Sequence, residues 1–319
     1  MTMAELAKLA NVSVSTVSKA FGEAPDINEE TKQHIFALAR EYGCYGKFFK
    51  GKYHKPIIAI IFPEIVSNYY TRYVNILNGM VEKAGGVCVL ASDNFDKGKQ
   101  SELVEYFASY LQVDGIFVFA LRDELKKAYN VPVVSLFSSS DSHLHSVCVD
   151  LSSAVQETAQ TLKAYNHRNV ALISEPLTRT KIAQFEEGLL EHGLSVTTVE
   201  SASRFEPAGE DGVRQLMENH VPFSALVCAY DYVAYGAIKE LRRHGLRVPQ
   251  DVSVIGMDNL PINDYTETSL ASIDTNPVGM CEAAWELMQK KLASPHFKEK
   301  ESVVFKSKLI IRESLQPKE

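Results

Sequence analysis

Between positions 13 and 19 the chain places four hydroxyls, Ser13, Ser15, Thr16 and Ser18, beside the apolar Val14 and the cation Lys19, with no acidic residue among them. Hydroxyls that donate and accept, next to an ammonium, have the chemistry needed at base edges and phosphate oxygens. If Val12 and Val17 face inward, a helix starting at Val14 turns Val14, Ser15, Ser18 and Lys19 to solvent. Short side chains then lead and a cation follows, which fits a DNA major groove. The same pattern also describes an ordinary three-helix cap. A second set lies in CYGKFFKGKYHK, where Lys47, Lys50, Lys52 and Lys55 alternate with Phe48, Phe49 and Tyr53 and no acid intervenes. Cations beside flat rings can hold phosphates, enter a minor groove or stack on bases. Equally, the stretch can be a solvated tether whose rings pack on a neighbouring domain.

The elements that would position these groups are legible. Thr2 and Glu5 have the spacing of a reciprocal N-terminal cap. Leu6, Leu9 and Ala10, then Val17, Ala20 and Phe21, recur at helical spacing, so the pattern predicts two short helices packed on each other. Between them, Asn11 suits a left-handed turn, Val12 a core plug and Ser13 a second cap. After the turn-rich GEAPDIN, Asn28 caps a third helix with the stripe Ile35, Leu38, Ala39 and Tyr42, which Gly43 ends.

At 319 residues the chain has room for more domains than this head. Apolar residues make up 45% and charged residues 23%, the proportions of a soluble globular protein. The net charge of −7 excludes a protein that coats nucleic acid by bulk charge. Residues 1–55, however, hold eight Lys or Arg against six acids, a net of +2 that leaves −9 for the remainder. A cationic head on an acidic body confines phosphate attraction to one end. Cys44, Cys88, Cys148, Cys228 and Cys281 are dispersed and read as reduced thiols. With no secretory leader pattern and no apolar run long enough to span a membrane, a cytoplasmic protein with no membrane partner is expected. Nucleophile motifs, GxGxxG, phosphate-binding loops and metal-ligand spacings are all missing. The expectation is no catalytic residue, no cofactor, no metal and no enzyme; Gly85-Gly86 is a turn.

From Pro56 onward, short apolar runs alternate with helical patterns. Strands are expected at 57–62, 87–91, 115–119, 133–137, 170–173, 225–228, 252–255, 303–305 and 309–311. Helices are expected at 70–84, 99–110, 124–129, 151–165, 181–192, 209–218, 232–244 and 278–292, with Trp285 in the core register and Ser138–Ser140 in a loop. Near-continuous apolar strands alternating with helices mean parallel sheets covered on both faces. Two doubly wound lobes fit the count, with ligands at the carboxyl ends of the strands. No internal repeat is visible.

The stretch NVSVSTVSKAFGEAPDINEETKQHIFALAREYG resembles the DNA-binding head of the lactose-repressor/galactose-repressor family (LacI/GalR), whose pattern is approximately GVSxxTVSRxLN followed by VSxxTRxRVxxAxxxLGY. VDGIFVF, NHRNVALI and RHGLRVPQDVSVIGMDNLP resemble landmarks of the family's body, so the resemblance spans essentially the whole chain. It implies an all-α helix-turn-helix head at 1–45, a hinge at 46–55 and a two-lobed, periplasmic-binding-protein-like core at 56–319. Lobe 1 would take about 56–150 plus 275–305, and lobe 2 about 151–274 plus 306–319.

The resemblance also implies a transcriptional regulator, by expectation a repressor. It would be a homodimer on palindromic double-stranded operator DNA, switched by a small effector, a sugar or sugar derivative, between the lobes. Val14 and Ser15 match base-reading positions, and Ser13, Thr16 and Asn28 match phosphate-side and capping positions. Lys19 stands where the family has Arg and lacks the planar fork that reads guanine. In the hinge, Tyr53 falls near the family's wedging Leu, and Gly46 and Gly51 weaken a helix. In the cleft, Lys181 matches the family's Arg of RxxGF, Tyr230-Asp231 its Asn-Asp, and Tyr73 its aromatic position. Asp231 would accept two hydroxyl hydrogens, Lys181 would donate, and the tyrosines would offer flat faces to a sugar or pack in the core. The departures at these anchors leave a second reading, a regulator of the same fold controlled by a phosphocarrier-type protein partner. An exported sugar-binding protein is the weaker rival.

Overall fold

The computed structural model describes residues 1–22, 24–49, 55–121, 129, 131–139, 144–293 and 301–318. The N-terminal unit runs from Met1 to Pro56. Helix α1 spans Met3–Leu9, α2 Val14–Phe21, α3 Glu29–Glu41 and α4 Tyr45–Phe49. The caps form as the sequence suggests. Thr2 N donates to the Glu5 carboxylate at 2.7 Å and Glu5 N to Thr2 Oγ1 at 3.2 Å. Ser13 Oγ accepts from Thr16 N, and Asn28 Oδ1 from Glu30 N. Asn11 takes φ 52°, as the tight turn requires. Leu6, Val17, Ala20, Ile35 and Ala39 are fully buried, with Val12 half-buried over them. Leu9 and Tyr42 differ from expectation. Both are about half exposed, and Ala7 and Phe36 take the inner places.

The second unit holds two six-stranded sheets. In lobe 1 these are β1 (Ile57–Phe62), β2 (Val87–Ser92), β3 (Gly115–Leu121), β4 (Val133–Ser139), β5 (His145–Asp150) and β11 (Ser302–Lys306). Its helices are α5 (Asn68–Lys83), α6 (Lys97–Glu105, prolonged by a π-helical turn to Tyr110) and α11 (Pro277–Ala293). Lobe 2 has β6 (Asn169–Ser174), β7 (Ser195–Glu200), β8 (Ala225–Cys228), β9 (Ser253–Met257), β10 (Ala271–Asp274) and β12 (Lys308–Ile310). With them pack α7 (Ser152–Ala164), α8 (Arg179–Glu191), α9 (Glu206–Glu218) and α10 (Asp231–Arg243).

The strand orders are β2-β1-β3-β4-β5-β11 and β7-β6-β8-β9-β10-β12. Each lobe thus repeats the other's winding although no sequence repeat announces it. β12 departs from the all-parallel expectation by running antiparallel to β10. Ser307 alone separates it from β11, so the chain passes directly from the edge strand of one sheet to the edge strand of the other. The strands β5, β7 and β10 are additions to the expected set. Ser138 and Ser139 belong to β4, not to a loop, and the helix expected at 124–129 lies outside the described residues apart from Tyr129, which is not helical.

The strands are buried because both faces are covered. Ile58, Ile60, Phe117 and Leu136 pack with Leu77 and Met280 of the flanking helices, and Leu172, Val227 and Ile255 with Phe185 and Leu241. Trp285 is half-buried against lobe 1's core, with its ring 6.5 Å from Phe117. In lobe 2 the helices α9 and α10 meet at two glycines. A side chain on Gly236 would strike the Glu206 carbonyl, and one on Gly209 the Val233 carbonyl.

Candidate functional site

The head presents one polar face. With Val17, Ala20 and Phe21 buried, α2 leaves Val14, Ser15, Ser18 and Lys19 exposed, and Val14 is 48% exposed despite being apolar. The hydroxyls of Ser13 and Thr16 lie 2.8 Å apart at the helix start, so both serve the cap while facing the same edge. Lys19 pairs with Asp26, whose carboxyl is held below its usual range by that ammonium. The carboxamide oxygen of Asn28 caps α3.

Beyond α3 the linker aromatics turn back. Tyr45 stacks edge-on against Phe36 at 5.2 Å, and Phe48 lies 5.3 Å from Phe21, which extends the head's own core. Lys47 is exposed and donates to the Met1 carbonyl at 3.1 Å. Phe48 is thereby a packing residue in this structure and not a free wedge. Lys50 and Tyr53 lie outside the described residues.

In the body a cavity of about 400 Å³ opens between the lobes. Its lining comes from the carboxyl ends of the parallel strands. In each lobe the strand order reverses between first and third strands, which is where doubly wound sheets leave a crevice. Lobe 1 supplies Glu64, just past β1, Tyr69 and Tyr70 from the first turn of α5, and Phe95 past β2. Lobe 2 supplies Glu175 past β6, Lys181 on α8, Arg204 and Phe205 past β7, Tyr230 past β8 and Asp258 past β9.

Two of the sequence-derived site residues reach the cavity. The Lys181 ammonium sits 5.8 Å from the centre of the Tyr230 ring, and the Tyr230 hydroxyl accepts from Phe205 N at 2.9 Å. Burial pushes the Tyr230 hydroxyl's pKa up to about 12, so it stays protonated and can donate.

The other two do not line it. Tyr73 is fully buried, hydrogen-bonded to Thr275 at 2.8 Å, with its ring 4.8 Å from Phe137. It is core packing under the Tyr69–Tyr70 pair. Asp231 is fully buried too, and its carboxylate accepts from Leu260 N at 2.8 Å, Asn263 Nδ2 at 2.8 Å and Ser272 Oγ at 2.6 Å. Those bonds tie the start of α10 to the segment after β9. Gly256 permits the approach, since a side chain there would strike the Asp231 carboxylate. Asp231 therefore positions the cavity wall, and of the two aspartates it is Asp258 that reaches the cavity, beside Glu64 and Glu175.

Asp258 adopts φ 103°, a conformation that side-chain-bearing residues rarely hold. Burial raises its pKa well above the usual range, with the Lys181 ammonium acting against that and Asp231 adding to it. Glu175 is likewise raised by burial, against the pull of a hydrogen bond from Leu177 N and the charges of Arg204 and Lys181. The sequence reading passed over Glu64, Glu175, Arg204, Phe205 and Asp258. A signal did exist for three of them: Glu64, Glu175 and Asp258 stand within two residues of the ends of apolar strand runs, where ligands of such sheets sit. Among the described residues no cluster has the make-up of a metal site, and no helix is long and apolar enough to cross a membrane.

A capped helix-turn-helix with an exposed hydroxyl face, joined in one chain to two doubly wound lobes around a polar, aromatic-lined cavity, defines a class: helix-turn-helix transcriptional regulators with a periplasmic-binding-protein-like body. Comparison with known proteins agrees. Residues 2–45 match the family model described as bacterial regulatory proteins, lacI family, and residues 159–315 that of the periplasmic binding protein-like domain. The HTH-type transcriptional regulator AscG of Escherichia coli is 27% identical over 291 residues, covering 85% of this chain and 86% of that one. The lac repressor dimer bound to operator and the anti-inducer ONPF superposes with a TM-score of 0.74 at 18% identity, covering 98% of each chain. A LacI-family regulator from Enterococcus faecalis with bound ribose gives 0.72 at 20% identity, covering 82% of this chain and all of that one. Residues 2–45 are thus a lacI-type DNA-binding head and residues 159–315 a periplasmic-binding-protein-like domain, and the chain is a DNA-binding transcriptional regulator similar to those of the lacI family.

Proposed function

We propose that this regulator binds a two-fold symmetric operator as a homodimer, and that a neutral carbohydrate in the interlobe cavity changes its affinity for that DNA. The cavity lining carries the ligand reading. Tyr69, Tyr70, Phe95 and Phe205 supply flat apolar surface for the C–H faces of a sugar, while Asp258, Glu175 and Lys181 meet its hydroxyls. The volume is that of a small-molecule pocket. The ribose-bound neighbour of the same fold supports this reading over control by a protein partner.

On DNA, Val14 and Ser15 read base edges, with Ser18 and Lys19 beyond them. Ser13, Thr16, Asn28 and Lys47 follow the phosphates, and Lys50 and Tyr53 belong to the hinge. A head of net charge +2 makes few phosphate contacts, so firm binding needs two heads on two half-sites. The lac repressor dimer on its operator supports this arrangement.

Titration calorimetry with neutral pentoses, hexoses and disaccharides tests the proposal. At least one should bind and shift operator affinity in a gel-shift titration. Failure of every sugar in the panel to bind overturns the ligand reading.

A further inference from the structure

One side of the cavity is closed by an ion pair made across the lobes. Glu64 of lobe 1 accepts from both terminal nitrogens of Arg204 of lobe 2, at 2.8 and 2.9 Å. The guanidinium is also held on its faces, its carbon 5.2 Å from the Phe95 ring of lobe 1 and 4.7 Å from the Phe205 ring of lobe 2. Its remaining nitrogen, Nε, is buried and meets no acceptor among the described residues. Two of the guanidinium's five N–H hydrogens are spent on the carboxylate, one from each terminal nitrogen. A forked pair of this kind is strong and geometrically specific, and the carboxylate cancels the guanidinium's charge toward anything else in the cavity.

We propose that Arg204 and Glu64 form an interlobe strap that sets the charge selectivity of the cavity. It holds the lobes over an uncharged, hydroxyl-bearing ligand and denies the guanidinium to a ligand phosphate or carboxylate. An uncharged sugar leaves the pair intact, since it brings no anion to compete with Glu64 for the guanidinium. A phosphate ester would have to displace Glu64 from two hydrogen bonds, and would meet Glu175 and Asp258 across the same cavity. The proposal rests on the carbohydrate reading and adds which carbohydrates are refused.

The test uses the full chain, calorimetry with D-ribose, D-glucose and cellobiose, and the same with D-ribose 5-phosphate and D-glucose 6-phosphate. In the wild type a phosphate ester should bind at least tenfold more weakly than its parent sugar. Glu64→Gln should narrow that ratio tenfold or more, and Arg204→Gln should not. An ester that binds the wild type as well as its parent, or an unchanged ratio in Glu64→Gln, overturns the proposal.

Two ligand-independent measurements keep it separable from the carbohydrate reading. Inorganic phosphate should raise the melting temperature of Glu64→Gln and leave that of the wild type unchanged. Amide exchange in peptides spanning 62–71 and 200–208 should quicken at least threefold in both variants. If no sugar binds any of the three proteins, the carbohydrate reading fails while these two results still decide the strap. No phosphate effect, or unchanged exchange in both variants, overturns it.

Discussion

Asp231 and Asp258 divide two tasks that a single buried carboxylate could not perform together: one holds the wall of the cavity and the other faces into it. Asp231→Ala would leave the Leu260 amide, the Asn263 amide group and the Ser272 hydroxyl without their acceptor, so it should lower unfolding stability by about 1–3 kcal/mol in a urea titration. Asp258→Ala, which opens no such set of donors, should remove sugar binding in calorimetry and leave the urea midpoint nearly unchanged. The pH dependence has a definite sign. Burial raises the Asp231 carboxyl from 3.8 to about 6, against its three hydrogen bonds, so between those values the folded chain binds more protons than the unfolded one. This group's contribution is therefore fully present below about pH 4 and is lost as pH rises through about 6. Replacement by Asn should flatten that fall in stability, and an identical profile for variant and wild type would show that another group carries it. The sequence showed an acid beside Tyr230 at a motif position. It could not show which of the lobe's acids turns outward, because that depends on hydrogen bonds to residues far along the chain.

At the scale of single elements the head was the most legible part, since its caps act over two or three residues. Ser13→Ala should cost the head about 1 kcal/mol, read as a lower melting midpoint for the near-ultraviolet signal of its aromatic cluster. The strands that escaped sequence reading have identifiable reasons. β7 is an edge strand with Thr and Ser among its residues and only partial burial, while β5 and β10 are short runs interrupted by polar side chains. Their neighbours complete them. The packing of α9 on α10 was hidden for another reason, since a glycine's value as an absence of bulk appears only when the opposing backbone is known. Gly236→Ala should destabilise lobe 2 by about 1–3 kcal/mol or more, because the contact is with the backbone carbonyl of Glu206, which cannot swing aside. A urea midpoint equal to wild type would mean that the helices slide apart at no cost.

At the scale of the whole molecule, alternation of apolar runs and helices revealed two wound lobes, whereas their matching strand orders emerged only from the fold. The lobes' likeness is one of winding and not of residues, so different side chains fill equivalent strand ends: Phe95 past β2 and Arg204 past β7. The proposed dimer predicts a footprint with a dyad. Ser15→Ala should alter base preference within it, and Lys47→Ala should weaken all sequences alike while flattening the salt dependence. A protected region lacking two-fold symmetry would contradict the dimer.

The chain passes between the lobes three times, before Ser152, after Asp274 and at Ser307, and the outermost strands β11 and β12 follow one another at 302–310, after all the other strands. During synthesis, then, neither sheet can be finished when its first five strands leave the ribosome. Both wait for the same short segment, 302–310, so the two lobes reach their final form together. A chain stopped short of Ser302 would leave two open sheet edges, one in each lobe, and should be recovered from cells as aggregate.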